Sequence, residues 1–418
     1  MSPVEIRVPG DKSIAHRALI LGALADGESR LTHLPDGKDV LATQTCLGAL
    51  GVRISRSGES IRIAGRGLRA IRTPAQPLDC ANSGTTMRLL TGVLAGGAVN
   101  TTLAGDDSLL RRPMSRLVDP LLAMGARIRS HQGKAPLQIE GTPLTGRRHR
   151  LPLASAQVKS ALLLAGLEAR GLTSVEEPIS TRDHTERLLR AMGATIRTVG
   201  LAVEVEPRVA PLRPLDLDIP GDFSSAAFWF AAAAIRPGWS VLVRGVGLNP
   251  SRTAFLAMLE AMGSEVRVEL ESTASIEPAG SVSVTGRGLR SLQVGANDVA
   301  AAIDEIPILM VVATQAEGTT SIEGAGELRV KESDRIHSMS DGLRRMGASV
   351  EVLGDSLRIT GPTRLRSASV EAFGDHRVAM ALAIAGLSVE GSSTINGAES
   401  ADVSYPGFFK QLEVLARG

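Results

Sequence analysis

Six times along the chain a small polar turn leads into an Ala/Leu-rich run that closes on glycine. The runs occupy residues 13–27 (SIAHRALILGALADG), 83–96 (SGTTMRLLTGVLAG), 155–171 (SAQVKSALLLAGLEARG), 224–238 (SSAAFWFAAAAIRPG), 304–318 (DEIPILMVVATQAEG) and 375–391 (DHRVAMALAIAGLSVEG). They are apolar on nearly every side, which predicts buried helices, and the small polar residues at their starts are N-cap chemistry. A second mark follows each of the first five. It is an amphipathic helix ending at glycine and then a strand, as in LGALGVRI (47–54), LLAMGARI (121–128), LLRAMGATI (188–196), MLEAMGSEV (258–266) and LRRMGASV (343–350). Phe255, Met258, Leu259 and Met262 show the helical spacing, Pro113 fits a first helical turn, and the glycine suits a left-handed C′ position. A sixth such helix, over 408–417, ends the chain with no strand after it.

Each unit therefore reads strand–helix–strand–helix–strand, with a period of about 70 residues. Two near-identical phrases, Val8-Pro9-Gly10-Asp11 and Ile219-Pro220-Gly221-Asp222, divide the units into halves and read as crossing points. The expected organisation is two similar α/β domains of three units each. One spans 11–220. The other spans 221–418 and takes residues 1–10 as a strand.

Composition narrows the class. With 418 residues, 43% hydrophobic and 22% charged, the chain has the content of a globular protein large enough for two cores. Cys46 and Cys80 make neither a disulfide framework nor a zinc spacing, and the seven histidines show no metal-ligand pair, so no metal is expected. The longest apolar run, 226–235, is too short to span a membrane, and the opening EIRVP is strand-like, with no signal segment. A cytoplasmic protein with no membrane partner is the expectation. Aromatic residues are only 2% and adjoin no basic patch, which argues against nucleic acid. The basic residues are 40 Arg and six Lys, a bias that fits genome composition or heat adaptation.

The unusual polar residues gather at helix starts. On first helices they are Lys12-Ser13 with Arg17, Asn82-Ser83-Gly84-Thr85 with Arg88, Ser155-Ala156-Gln157, Asp222 with Ser224-Ser225, Asp304, and Asp375-His376-Arg377. On second helices they are Arg112, Arg182-Asp183-His184, Ser251-Arg252, and Lys331-Glu332 with Arg335. Helix N-termini bind anions, and arginines add bidentate forks for carboxylate and phosphate. Any one serine alone reads equally as an ordinary cap. Jointly the pattern predicts one or two small polyanionic substrates held between the domains. If a helix begins near Glu332, then Glu332 and Arg335 share a face. Asp304 and Glu332 beside Lys331 and Arg335 suit proton transfer on an anionic substrate. Neither GxGxxG nor GxxxxGK[ST] is present, so no dinucleotide or P-loop site is expected.

Eight stretches in order, PGDKSIAHRALILGALA, NSGTTMRLL, RRPM, SAQVKSALLLAGL, STRDHTE, DEIPIL, RVKESDR and GDHRVAMALAIAGL, resemble the 5-enolpyruvylshikimate-3-phosphate synthase family of enolpyruvyl transferases. The resemblance runs from Pro9 to about Pro406. It implies an α/β fold of two pseudo-threefold domains, each of three repeated βαβαββ units, an inside-out α/β barrel with the active site in the interdomain cleft. It implies transfer of the enolpyruvyl group of phosphoenolpyruvate to the 5-hydroxyl of shikimate 3-phosphate, with loss of phosphate, no metal and no organic cofactor. Lys12, Gly84, Arg112, Gln157, Arg335 and Arg377 would hold phosphoenolpyruvate. Lys12, Ser13, Arg17, Ser155, Gln157, Arg182, Asp304 and Lys331 would hold shikimate 3-phosphate. Asp304 would take the hydroxyl proton and Glu332 deliver one to the methylene, with Lys12 sharing the proton work. Which carboxylate acts as acid and which as base stays open at this level.

The chain departs from the family pattern in two places. Cys80-Ala81 precedes Asn82 where Gly is common, and Gly397-Ala398-Glu399-Ser400 lacks a Lys that one member group carries near the C-terminus. Gly84 stands where Ala is associated with glyphosate tolerance, so inhibition by glyphosate is expected. A monomer is expected, because one chain carries every site residue. Three rivals exist. UDP-N-acetylglucosamine enolpyruvyl transferases carry a reactive Cys near the position of Arg111-Arg112, and no Cys is there. An RNA 3′-phosphate cyclase would need His376 as its nucleotide acceptor. A mere binder of phosphorylated metabolites has no use for Asp304 and Glu332.

Overall fold

The computed structural model describes residues 3–272 and 275–417. Met1, Ser2, Thr273, Ala274 and Gly418, all inside the expected second domain, lie outside the described residues. The chain divides into two compact units, Gly10–Ile219 and Met1–Pro9 with Pro220–Gly418, here called the first and second lobes.

In the first lobe the middle unit shows the plan. Strand Leu78–Asp79 leads into helix Gly84–Ala95, and strand Asn100–Ala104 returns parallel to it. Helix Ser115–Ala123 follows, then the antiparallel hairpin Arg127–His131 and Lys134–Glu140. Lys134–Glu140 lies between its hairpin partner and Asn100–Ala104, which completes a four-stranded sheet. The third unit repeats this with Arg148–Arg150, Ala156–Gly166, Thr173–Glu176, His184–Ala191, Ile196–Val199 and Ala202–Val205. The first unit has its own helices, Lys12–Leu24 and Lys38–Ala49, but borrows its leading strand from the end of the lobe. There Asp216–Asp218 pairs parallel with Arg30, Leu31 and Thr32. Each unit of this lobe thus has one strand more than the five-element reading of the sequence.

The second lobe follows the same plan. Its first helix, Phe223–Ala234, precedes strand Ser240–Gly247, and the leading strand is Val4–Ile6, parallel to Val241–Val243 in register. The next unit contains Ile306–Thr314 and Arg335–Arg345, and the last contains His376–Ala385 and Phe408–Arg417 with a sheet of two strands only. Short helices Asp107–Arg111 and Ala296–Ala301 are additions that the apolar pattern did not announce.

Burial explains why the helices form. Phe223–Ala234, Ile306–Thr314 and His376–Ala385 are buried at every position, and Lys12–Leu24 from Ile14 onward. Five of the six are capped by a side chain. Asp11, Ser83, Ser155, Asp222 and Asp375 accept from the N–H of Ile14, Thr86, Val158, Ser225 and Arg377 respectively. Such a cap contributes about 1 kcal/mol. Most of the few aromatic rings are spent on the second core. Trp229 lies 5.1 Å from Phe408, donates to Tyr405 Oη at 3.0 Å, and Tyr405 donates in turn to the carbonyl of Arg7. Burial raises the Tyr405 phenol above its ordinary range.

The second helices end as the glycines implied. Gly51, Gly125, Gly193, Gly263 and Gly347 have φ of 89°, 95°, 90°, 107° and 92°. In four of these units an arginine closes the end. Arg72, Arg213, Arg290 and Arg366 each donate a backbone N–H to the carbonyl just before the glycine, and their side chains lie over it. A guanidinium there faces the negative end of the helix dipole. Part of the arginine excess is therefore structural. Pro113 sits two residues ahead of helix Ser115–Ala123, so it precedes the first turn and does not occupy it. No helix among the described residues is long and apolar enough to cross a membrane.

In the first lobe, Gly92 of helix Gly84–Ala95 faces helix Ala156–Gly166 so closely that a Cβ would stand 2.2 Å from the carbonyl oxygen of Ala161. Helix propensity alone favours Gly→Ala by about 1 kcal/mol. The contact reverses the sign, and Gly92→Ala destabilises by about 1–3 kcal/mol. Urea unfolding measures it, and a variant as stable as the parent would refute the close approach.

Candidate active site

In the first lobe two groups of predicted residues come together. Arg17 turns back to the carbonyl of Ser13 (2.9 Å), and its other nitrogens donate to Thr185 Oγ1 (2.8 Å) and Ser160 Oγ (3.0 Å). Arg182 Nη1 donates to Ser13 Oγ at 3.3 Å. Ser155 caps its own helix, and its N–H donates to Glu177 Oε1 at 3.2 Å. Ser13, Arg17, Arg182 and the start of helix Ala156–Gly166 thus form one cationic, hydroxyl-rich corner.

The second group is built on Gly84. Arg88 Nη1 donates to Gln157 Oε1 (2.6 Å), and Gln157 Nε2 donates to Thr85 Oγ1 (2.9 Å). Arg112 Nη2 donates to Asn82 Oδ1 at 2.8 Å. A Cβ on Gly84 would lie 2.5 Å from Arg88 Nη1 and 3.0 Å from Arg112 Nη1. Only glycine lets two guanidinium groups approach this helix start together.

Lys12 opens the first helix with its Nζ 3.0 Å from Asp39 Oδ2. Asp39 was not singled out, because nothing in its local sequence distinguishes it from a helix-start acid. Behind Lys12, His16 Nδ1 lies 2.6 Å from Thr43 Oγ1, and the hydrogen-bond chain continues through Thr86 to Ser83. Burial, then Lys12 and Arg17, hold His16 well below the ordinary imidazole range, so it is neutral.

The second lobe gathers its predicted residues around Arg335, whose side chain is 1% exposed. Its Nη2 donates to Glu332 Oε2 (2.6 Å), its Nε to Asp375 Oδ2 (2.8 Å), and its Nη1 lies 3.4 Å from Asp304 Oδ1. Arg377 Nη1 donates to the backbone carbonyl of Asp304 (2.9 Å), with Nη2 3.6 Å from its carboxylate. Arg252 Nη1 is 3.8 Å from Asp304 Oδ2, and its Nη2 donates to Ser224 Oγ at 2.6 Å. Ser224 donates to Glu305. The arginines here are met by carboxylates, so this lobe is a balanced charge network and not a bare cationic patch. Asp375 holds Arg335 rigidly with two oxygens.

Glu332 and Arg335 meet, but not as neighbours on a helix. The helix begins at Arg335 with Asp334 as its cap, and Glu332 lies before it, after the 3-10 turn Gly326–Val330. The Ser-Asp pair supplies the stop that a continuous helix from Glu332 would lack. Lys331 is half-buried in the same cluster. Desolvation pushes its pKa down to about 8, against the attraction of Asp304 and Glu332 and with the repulsion of Arg335. Burial works against the charged form of Arg335, but Asp375, Glu332 and Asp304 outweigh it and hold it above its ordinary value.

His376 is 2% exposed, packed behind Asp375 with Nδ1 4.0 Å from Oδ1, a poor place for a nucleotide acceptor. Cys46 and Cys80 are buried thiols. The stretch without the C-terminal Lys forms a 3-10 turn, Ala398–Val403. Sequence reasoning missed Lys159 with its partners Glu177 and Glu186. The signal was present, since Lys159 is the one charged residue in the buried helix Ala156–Gly166.

The family model described as EPSP synthase (3-phosphoshikimate 1-carboxyvinyltransferase) matches residues 3–412. The chain is 50% identical over 412 residues to the 3-phosphoshikimate 1-carboxyvinyltransferase of Gloeobacter violaceus, covering 98% of this chain and 95% of that protein. It is 45% identical to the protein of the same name from Geobacter sp. strain M21, covering 98% and 96%. The fold is similar to that of the solved EPSP synthase from Acinetobacter baumannii, with a TM-score of 0.86, 41% identity and coverage of 99% and 95%. At 20% identity the enolpyruvyl transferase NikO from Streptomyces tendae shares the fold, with a TM-score of 0.77 and coverage of 99% and 94%. The chain belongs to the EPSP synthase family.

Proposed function

We infer that the protein is a 3-phosphoshikimate 1-carboxyvinyltransferase, joining the enolpyruvyl group of phosphoenolpyruvate to the 5-hydroxyl of shikimate 3-phosphate. The observation that carries the reading is the Arg335 cluster, which holds two carboxylates, Asp304 and Glu332, beside Arg377 and Lys331 in a member of this family. The 5-oxygen bonds to C2 of the enol as its proton leaves to Asp304. C3 takes a proton from Glu332. The tetrahedral intermediate then loses phosphate from C2 and a proton from C3, and the enol ether results. Arg112, Gln157, Arg335, Arg377 and the glycine-lined start at Gly84 hold the anionic ends of phosphoenolpyruvate. Ser13, Arg17, Ser155, Gln157, Arg182 and Lys331 hold shikimate 3-phosphate, and Lys12 serves both. The reading requires both lobes to serve the same pair of substrates within one chain, acting as a monomer.

Phosphate release tests this directly. With phosphoenolpyruvate present, release is expected on adding shikimate 3-phosphate and not on adding UDP-N-acetylglucosamine. The opposite result would assign the chain to the other acceptor. Asp304→Ala lowers kcat by about 100-fold or more, the range of a lost general base. The variant still binds shikimate 3-phosphate, because Ser13, Arg17, Ser155, Gln157, Arg182 and Lys331 remain. Full turnover in this variant would remove Asp304 from the proton transfer.

Lys331 is cationic below its pKa of about 8 and neutral above it. Its hold on an anionic substrate therefore weakens as pH rises through that value. The kcat/KM for shikimate 3-phosphate is expected to fall about tenfold per unit above pH 8, as one free-enzyme proton requires. A profile flat to pH 9.5 would rule out a charge role for Lys331.

Glyphosate is expected to inhibit in competition with phosphoenolpyruvate. Gly84→Ala forces Arg88 and Arg112 to give way, so it raises the glyphosate concentration for half-inhibition and also the KM for phosphoenolpyruvate. Steady-state inhibition at millimolar glyphosate decides, and unchanged constants in the variant would separate Gly84 from the enol subsite.

A further inference from the structure

The repeat supplies its own control for one residue. The fourth residue of the six first helices is Ala15, Met87, Lys159, Ala226, Leu309 and Ala379, five apolar side chains and one lysine. Lys159 is 2% exposed, as are Glu177 and Glu186, and its Nζ lies 2.9 Å from Glu177 Oε2 and 2.8 Å from Glu186 Oε1. Burial alone would lower its pKa, but Glu186 and Glu177 prevail and raise it, so the ammonium persists. Met87 shows that an apolar side chain fills this position in the same lobe. Replacing a buried ion cluster by apolar residues is often neutral or stabilising, so stability does not explain a lysine here.

Its partners hold the pieces of the first cationic corner. Glu177 accepts the N–H of Ser155 (3.2 Å), the N–H of Thr181 (3.3 Å) and the hydroxyl of Thr181 (2.7 Å), which fixes the cap of one helix and the residue before Arg182. Lys159 also donates to the carbonyl of Thr181 at 3.4 Å. Glu186 follows Thr185, which accepts from Arg17 and donates to Ser160 Oγ at 2.7 Å. We propose that Lys159, Glu177 and Glu186 are positioning residues that set Ser155, Arg182 and Arg17 in the geometry that receives shikimate 3-phosphate. The inference rests on the function read above.

The test compares the whole protein with Lys159→Met, which copies the neighbouring repeat, and with the triple variant K159M/E177Q/E186Q, which removes all the buried charge together. Wild-type turnover with shikimate 3-phosphate is measured first, and its absence would defeat the functional reading and not this one. Given that turnover, both variants are expected to raise KM for shikimate 3-phosphate about tenfold or more, as lost orientation of charge-assisted hydrogen bonds implies. Both should leave kcat and the KM for phosphoenolpyruvate within about threefold. Thermal melting reports the fold, and the triple variant is expected to melt closer to wild type than the single. A folded variant with wild-type KM for shikimate 3-phosphate overturns the proposal. So do a parallel fall in kcat, and loss of fold in both variants, which would assign the cluster to stability.

Discussion

A helix buried on all sides still has a first turn whose N–H groups find no partner within the helix. Six such helices form the cores of the two lobes, and the chain solves the same problem at each start. Five take an oxygen from Asp or Ser, and the sixth, Ile306–Thr314, begins after Asp304 and Glu305 with no side-chain cap. The remaining donors and the positive end of the dipole are then left at the helix start. Every candidate functional residue lies on or beside such a start, or on the loop that leads to a second helix. The chemistry is thus placed where the apolar core has to stop.

The two lobes treat charge differently. In the first, arginines reach hydroxyls, amides and carbonyls: Arg17 donates to Thr185, Ser160 and Ser13, Arg112 to Asn82, and Arg88 to Gln157. In the second, Arg335 is held by three carboxylates, and Asp304 is approached by three arginines. Such a network fixes Asp304 and Glu332 in place, as proton transfer requires, at the cost of net attraction. Lys331, half-buried among them, is the group whose charge is easiest to change.

The repeat was legible because burial writes itself in the sequence as long apolar runs, and left-handed helix ends write themselves as glycine. Gly51, Gly193 and Gly347 were placed correctly on that basis. The leading strands were harder. Leu78–Asp79 and Gln293–Val294 are two residues long, with no period to detect. Lys331, Glu332, Asp304 and Arg335 could be grouped from spacing, yet the helix start between Glu332 and Arg335 could not, since it is set by the Asp334 cap. Asp39 becomes a site residue only through a distant partner, Lys12 across 27 positions, and the contact of Asp375 with Arg335 spans 40. Contacts of that separation leave no local trace.

The exchange of leading strands has a consequence for the order in which the protein is made. The first lobe is one unbroken stretch, and its borrowed strand, Asp216–Asp218, arrives at the end of that stretch. The second lobe needs Val4–Ile6, which leaves the ribosome ahead of the first lobe, whereas its partner Val241–Val243 comes only after the entire first lobe. At roughly 5–20 residues per second, the first strand waits about 12–50 seconds for its place in a sheet. A nascent first lobe can close while that strand is still unpaired, so the chain is built as an insertion that completes itself before its host.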